Sequence, residues 1–363
     1  MDIKTKPVAV MCFSSGTGGM ERSAVRLAET LSRVSKVVLV CKRGSFVEQL
    51  YQQGSYPFKC ESVGFASRTF SPAMLFGVRA IIDAHQIHNV IFFGASELKT
   101  LYFSFMGKLL NVTVWHGTTK SRPKRDAIHN QVYSCVDHHV AISKHLDRNV
   151  RQIVPVRGKA EYRVIRPSFT FADDIQGKPG LSDPQCLNIV HVGRVAHGKG
   201  QIDAVLACRG LYEAGVKFAL WIVGGGEKGE QYMDELIRVV ESLPYKESIY
   251  LKGYVDDVNE YLKKADVFLF PSSGEGMPGS YIEALHHGLI CVSYDNTVFP
   301  EFQDMGFYTH IVENQRVDKL SDKLCELASD ILSEKQKVND NIHLSRKCFS
   351  TEREINDWLE VLE

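Results

Sequence analysis

The sequence predicts an α/β protein made of two doubly wound, mainly parallel sheets, and three observations predict it. Short β-branched or apolar runs alternate with helical patterns, and this alternation occurs twice along the 363 residues. A polar stretch at 169–185 separates the two series; it contains Asp173, Asp174, Gly177, Pro179, Gly180, Asp183 and Pro184. The charge changes sign at the same place. Residues 1–170 carry 24 Lys and Arg against 11 Asp and Glu, a surplus of 13, and the remainder carries the opposite surplus, so the chain sums to zero. This reading gives a basic first domain at 1–170, a linker at 171–185, an acidic second domain at 186–345 and a C-terminal helix at 346–363 expected to pack back on the first domain.

In the first series the predicted strands are 8–13, 37–41, 89–93, 112–116, 139–142 and 163–165. Between the first two, apolar Ala24, Leu27, Ala28 and Leu31 recur at helical spacing within 20–33. The second series places strands at 187–192, 217–223, 248–251, 267–270 and 290–293. Helices are expected between them at 200–210, 232–242, 259–263 and 280–286. Ligands of such sheets collect at the carboxyl ends of the strands, so two facing domains of this kind predict a site in the cleft between them.

Composition excludes several classes. With 44% hydrophobic and 24% charged residues the chain is ordinary globular material, long enough for two cores. No run reaches the ~18 apolar residues of a membrane span; the richest, 100–110, is interrupted by Lys108. The start runs from Met1-Asp-Ile-Lys directly into the first strand and lacks a signal-peptide layout. Nine dispersed cysteines without a C-x-x-C spacing fit reduced, mostly buried thiols in the cytoplasm.

The most informative segment is Phe270-Pro-Ser-Ser-Gly-Glu275-Gly-Met277-Pro278-Gly279-Ser280-Tyr-Ile-Glu283. A strand ends, a glycine-bearing loop follows, and a helix opens whose first amides can seat an anion. Glu275 stands in the loop and Glu283 about one turn into the helix, positions from which carboxylates can accept from sugar or ribose hydroxyls. A helix capped by its own loop is the structural alternative. The loop Gly193-Arg194-Val-Ala-His-Gly-Lys199-Gly200 places two cations after another strand, a planar fork and a mobile point charge suited to phosphate oxygens. It is not a Walker loop, because G-x-x-x-x-G-K-[ST] is absent.

Together with Gly16-Thr-Gly18-Gly19-Met-Glu21, Val114-Trp-His116-Gly117, Val140-Ala-Ile-Ser-Lys144, Val223-Gly-Gly-Gly226, Gly253-Tyr254-Val255-Asp-Asp257, Ala265-Asp266 and Phe299-Pro-Glu301, these segments resemble the retaining glycosyltransferases of family four with the GT-B fold, a group that includes bacterial lipopolysaccharide, O-antigen and capsule transferases. The likeness runs through nearly the whole chain. It implies that Arg194 and Lys199 hold the diphosphate of a nucleotide-sugar donor, with Gly18 and Gly19 approaching it from the first domain. It further implies that Glu275 and the segment Met277, Pro278, Gly279 and Ser280 grip the transferred sugar and its phosphate, that Glu283 binds the ribose, and that Tyr254 and Val255 neighbour the base. His116 resembles the histidine that contacts the sugar near its anomeric carbon, and a structural hydrogen bond is its alternative role. The catalytic set is then His116, Arg194, Lys199 and Glu275.

Glu21 and the basic run Lys120-Ser-Arg122-Pro-Lys124-Arg125 are expected on the acceptor side. The surplus charge of the first domain suits an anionic acceptor or the anionic inner face of a membrane, while nucleic acid is not expected as a partner because no binding module is recognisable. The stretch 101–110 could lie in the core or at that interface. No Asp-x-Asp is present and Asp256-Asp257 reads as a turn, so no metal cofactor is expected. The family's Asn-Gly turn at the end of the first domain is replaced by Arg166-Pro167-Ser168, and small Gly279-Ser280 suggests room beside the sugar. The expected activity is hexosyl transfer with retention from a UDP- or GDP-sugar to a glycan or lipid-linked hydroxyl in cell-envelope polysaccharide synthesis. Two alternatives are a nucleotide-sugar epimerase of the same fold and a non-catalytic nucleotide-sugar-binding protein.

Overall fold

The computed structural model describes residues 5–67, 69–94, 96–155, 160–171, 186–226 and 231–363. The chain forms two compact units, Met1–Ser168 with Thr351–Glu363, and Phe169–Ser350. Most of the segment read as a linker, 172–185, lies outside the described residues.

The first unit holds seven parallel strands, β1 (Val8–Cys12), β2 (Val37–Lys42), β3 (Lys59–Val63), β4 (Asn89–Phe93), β5 (Asn111–His116), β6 (His138–Ala141) and β7 (Glu161–Val164). Their order is β3-β2-β1-β4-β5-β6-β7. Every residue of β1 and β4 is buried, as expected of central strands covered by helices on both faces. The helix Gly19–Ser32 turns Ala24, Leu27, Ala28 and Leu31 onto the sheet, the positions its periodicity predicts.

The second unit repeats the plan with β8 (Leu187–Val192), β9 (Phe218–Val223), β10 (Ile249–Gly253), β11 (Val267–Phe270), β12 (Ile290–Tyr294) and β13 (His310–Val312), in the order β10-β9-β8-β11-β12-β13. The expectation of two doubly wound parallel sheets is borne out. In each sheet the strand order reverses once, between β1 and β4 and between β8 and β11. At such a switch point neighbouring loops diverge and leave a crevice above the strand ends.

The structure departs from the sequence reading in places. β3 and β13 are additional; both are edge strands that carry polar residues, so they lack the apolar run that marks a buried strand. The helix expected at 200–210 is two, Gln201–Ala207 and Arg209–Glu213. The last helix is Thr351–Leu362, and 346–348 close the preceding helix Asn339–Cys348. Thr351–Leu362 is fastened within the first unit by a two-pronged ion pair. Arg26 Nη1 and Nη2 donate to Glu354 at 2.6 and 2.9 Å, and Ser168 adds its amide at 2.9 Å and its hydroxyl at 2.5 Å. Arg353 Nη2 donates to the Arg166 carbonyl at 2.6 Å. The segment that departs from the family's Asn-Gly turn thus takes its hydrogen bonds from this helix.

The stretch 101–110 divides its side chains. Leu101 and Phe105 are core, but Phe103, Met106 and Leu109 are exposed, as are Phe70 and Phe76 nearby in sequence to the adjoining helix Pro72–His85. Among the described residues no helix is long and apolar enough to cross a membrane. All nine cysteines are free thiols.

Candidate active site

In the second unit the loops after β8 and β11 meet at the switch point. Lys199 Nζ lies 2.6 Å from Glu275 Oε1, and both side chains are largely shielded. Two expected donor ligands, 76 residues apart, are therefore brought together as an ion pair. The pair is built by backbone geometry. Gly198 and Gly200 adopt φ of +84° and +77°, and a Cβ on Gly200 would stand 2.0 Å from the Pro271 carbonyl, so that position admits only glycine. Buried His191, on β8, bonds the Lys199 carbonyl through Nε2 at 2.9 Å, and burial pushes its pKa down to about 4. Gly198 O accepts from Ser272 Oγ at 2.9 Å and from Ser273 N at 2.8 Å, tying the two loops together.

Glu275 is positioned from a third loop. Its amide donates to Thr297 Oγ1 at 3.0 Å, and its carboxylate lies 2.9 Å from Ser272 Oγ, whose single proton is shared with the Gly198 carbonyl. Thr297 in turn donates to Asn296 Oδ1 at 2.9 Å, and Asn296 Nδ2 reaches the Ser272 carbonyl at 2.9 Å. Thr297 sits at φ +46°, a strained conformation for a β-branched residue that the surrounding bonds sustain. Sequence reasoning missed Ser272, Asn296 and Thr297; a positive φ on a threonine leaves no mark in a sequence.

Arg194, exposed, shares the β8 loop with Lys199, and its carbonyl is held by Gln201 Nε2 at 3.0 Å. The helix Gly279–His286 begins behind Pro278 and has no side-chain cap, which leaves the first-turn amides of Gly279 and Ser280 available to an anion. Met277 and Ser280 are half-buried there and Pro278 is buried. A Cβ on Gly279 would stand 3.2 Å from the Phe169 ring, so a larger residue there would crowd that ring. Tyr254, 81% exposed, and half-buried Val255 follow β10, and Gly224 N donates to Gly253 O at 2.8 Å to hold that turn. Glu283 stands apart from the ion pair. It lines a pocket of about 380 Å³ with Asp256, Asp257, Asn259 and His287, and burial raises its pKa. Asp257 accepts from the Asn259 amide at 2.9 Å, which is the turn role read for it. Among the described residues, no group of three or more His, Cys, Asp or Glu is arranged to hold a metal ion.

In the first unit the loops after β1, β4 and β5 enclose a pocket of about 220 Å³, lined among others by Ser14, Met20, Glu97, Trp115, His116 and Lys120. His116 ends β5 and is buried; its Nδ1 is 2.8 Å from Lys120 Nζ and its Nε2 is 3.0 Å from His139 Nδ1. Burial first, then Lys120 and His139, lowers its pKa well below the ordinary value. Both ring nitrogens are thus engaged within the protein, and the sugar contact expected of the imidazole has no free nitrogen in this arrangement. Glu21 is also spent internally: it is buried and its Oε2 accepts the Gly18 amide at 2.9 Å, so it shapes the Gly18-Gly19 turn instead of facing an acceptor. A Cβ on Gly19 would meet nothing within 4 Å, leaving that side of the helix start open.

The basic run divides in the same way. Lys120 turns inward to His116, and Lys124 turns to Tyr133, whose hydroxyl accepts from it at 3.4 Å. Arg125 is exposed and donates to the Gln152 carbonyl at 2.6 Å, and Arg122 is exposed. What reads as one basic face in the sequence is therefore two inward cations and two outward ones.

Comparison with known proteins agrees with this geometry. A family model described as Glycosyltransferase Family 4 matches residues 17–167, and one described as Glycosyl transferases group 1 matches 186–330. The capsular polysaccharide biosynthesis glycosyltransferase CapH of Staphylococcus aureus is 27% identical over 132 residues, 34% of this chain and 36% of that protein. The putative colanic acid biosynthesis glycosyltransferase WcaL of Salmonella typhimurium is 32% identical over 155 residues, 39% of this chain and 36% of that protein. The matched region thus spans about a third of each of these curated relatives. The crystal structure of Anabaena Alr3699/HepE in complex with UDP superposes with a TM-score of 0.81 at 15% identity, covering 98% of this chain and 99% of that one. With both sheets, both family matches and this likeness of fold in hand, the chain belongs to the family-four glycosyltransferases of the GT-B fold.

Proposed function

We propose that the protein is a retaining, metal-independent hexosyltransferase that moves a sugar from a UDP- or GDP-sugar to a hydroxyl of a glycan or lipid-linked acceptor in cell-envelope polysaccharide synthesis. The Lys199–Glu275 pair at the β8/β11 switch point, beside an uncapped helix N-terminus, is the observation that carries this reading. The names of the capsule and colanic acid relatives support the polysaccharide setting, and the UDP complex of the Anabaena protein supports the donor class.

The chemistry follows from the charges. As the bond from the anomeric carbon to the diphosphate breaks, its electron pair passes to the phosphate oxygen. Lys199, Arg194 and the amides at Gly279 and Ser280 stabilise that oxygen without a metal. The acceptor oxygen bonds to the same face, and its proton passes to the departing phosphate. A diphosphate drawing on Lys199 loosens its hold on Glu275, whose carboxylate then accepts from hydroxyls of the transferred sugar. Glu283, with its raised pKa, accepts from the ribose diol, and Tyr254 and Val255 flank the base.

Exposed Phe70, Phe76, Phe103, Met106 and Leu109, with Arg79 on the helix Pro72–His85 and Lys99 on the helix Leu98–Phe105, support contact with the anionic inner face of a membrane, where a lipid-linked acceptor would be presented. Incubation with labelled nucleotide sugars, with and without membrane extract, tests the whole reading. Slow donor hydrolysis alone and fast transfer with extract are expected. Conversion of the donor to an epimer, or saturable donor binding with neither reaction, would overturn it.

A further inference from the structure

We propose that Lys120 is the anion receptor of the first unit's pocket, taking a phosphate or carboxylate oxygen of a substrate, and that His116 is the residue that positions it. The identification of that anion as a substrate group rests on the glycosyl-transfer reading.

The geometry assigns the roles in this order. Lys120 lines the pocket, and its Nζ touches His116 Nδ1 at 2.8 Å. An ammonium only donates, so His116 must accept at Nδ1 and carry its proton on Nε2, where it donates to His139. The lysine backbone is fixed from the helix Lys144–Ile153, for Asn149 accepts the Lys120 amide at 2.9 Å and donates to its carbonyl at 3.0 Å. One of the three ammonium protons is therefore used, and among the described residues no carboxylate pairs with the other two.

The charged and titratable groups around it do not compensate. They are His116 from β5, His139 from β6, Lys124 from its own loop, and Glu97 at the start of the helix Leu98–Phe105, which accepts from Ser96 Oγ at 3.1 Å. Burial, with Lys124 adding to it, pushes the Lys120 ammonium down to about 7. A cation in that state is relieved most by an incoming oxyanion, which supplies both charge and acceptor atoms. Binding such an anion raises the lysine pKa, so near pH 8 the protein must take up roughly one proton as it binds, and near pH 6 almost none.

Calorimetric titration of the full chain with sulfate, which carries no proton of its own in this range, reads this directly when repeated in two buffers of different ionisation enthalpy. A parallel titration with UDP distinguishes an acceptor oxyanion from the donor diphosphate. Uptake with sulfate assigns the receptor to an anionic acceptor; uptake with UDP alone assigns it to the donor; either supports the proposal. Lys120→Met should abolish the uptake, and Lys120→Arg should bind at both pH values without it, its charge being permanent. His116→Asn, whose Oδ1 replaces Nδ1, should retain proton-coupled binding, while His116→Ala should weaken it about fivefold or more and shift its pH midpoint. Absence of uptake with both anions, or uptake unchanged in Lys120→Met, overturns the proposal. Donor hydrolysis by the same preparation reports separately on glycosyl transfer: uptake without hydrolysis sinks that reading and not this one, and hydrolysis without uptake does the reverse.

Discussion

Lys199 and Lys120 each follow the carboxyl end of a strand in a parallel sheet, yet their surroundings differ. Lys199 meets a carboxylate at 2.6 Å; Lys120 meets an imidazole at 2.8 Å and is shifted towards neutrality by burial. The acidic unit, which by net charge should repel a diphosphate, pairs its cation with Glu275. Among the described residues the basic unit supplies no such partner, and burial leaves its cation costly. Fold and position are shared, so local pairing decides what each lysine can do.

The largest effect that tests this contrast is Lys199→Ala. It should cut donor turnover by about 10²- to 10³-fold with the circular dichroism spectrum unchanged; a loss under tenfold would remove Lys199 from the diphosphate site. Next is stability. Because the folded pKa of Lys120 lies near 7 and its ordinary value is 10.5, the unfolded chain binds more protons between those limits. The residue therefore destabilises the fold most below pH 7, and the penalty fades as pH rises towards 10. Lys120→Met should raise stability at pH 6 by an amount on the order of 2 kcal/mol, and by less at pH 9, in denaturant melts. An equal gain at both values would contradict a titrating lysine.

Thr297→Val should lower turnover about tenfold by releasing the Glu275 amide, with donor affinity less affected; steady-state kinetics separates the two. The smallest effect belongs to chelation: activity in EDTA should stay within about twofold of the untreated enzyme, and a larger loss would show that the cations do not suffice.

The sheets and most central strands were legible because buried parallel strands are continuous apolar runs, and β1, β4, β8 and β11 all have that form. Edge strands β3 and β13 were not, since Lys59, Glu61, Ser62 and His310 break their apolar runs. Within the site, Lys199 and Glu275 were legible as residue types at fixed places after strands, but their pairing was not. The inward turn of Lys120 and the internal use of Glu21 and of both His116 nitrogens depend on partners brought close by the fold, which residue type and spacing do not encode. Thr297 was invisible because its positive φ is a backbone property that its residue type does not signal.

The clasp of Arg26 on Glu354 has a consequence for synthesis. Residues that complete the first unit follow the whole of Phe169–Ser350 in the chain, so a ribosome releases 351–363 only after the second unit has been made. Until then Arg26 and Ser168 lack their carboxylate, and the usual order in which an N-terminal domain finishes first is suspended. The first unit therefore waits for its last helix, and Trp358, buried in the finished fold, is among the side chains it waits for.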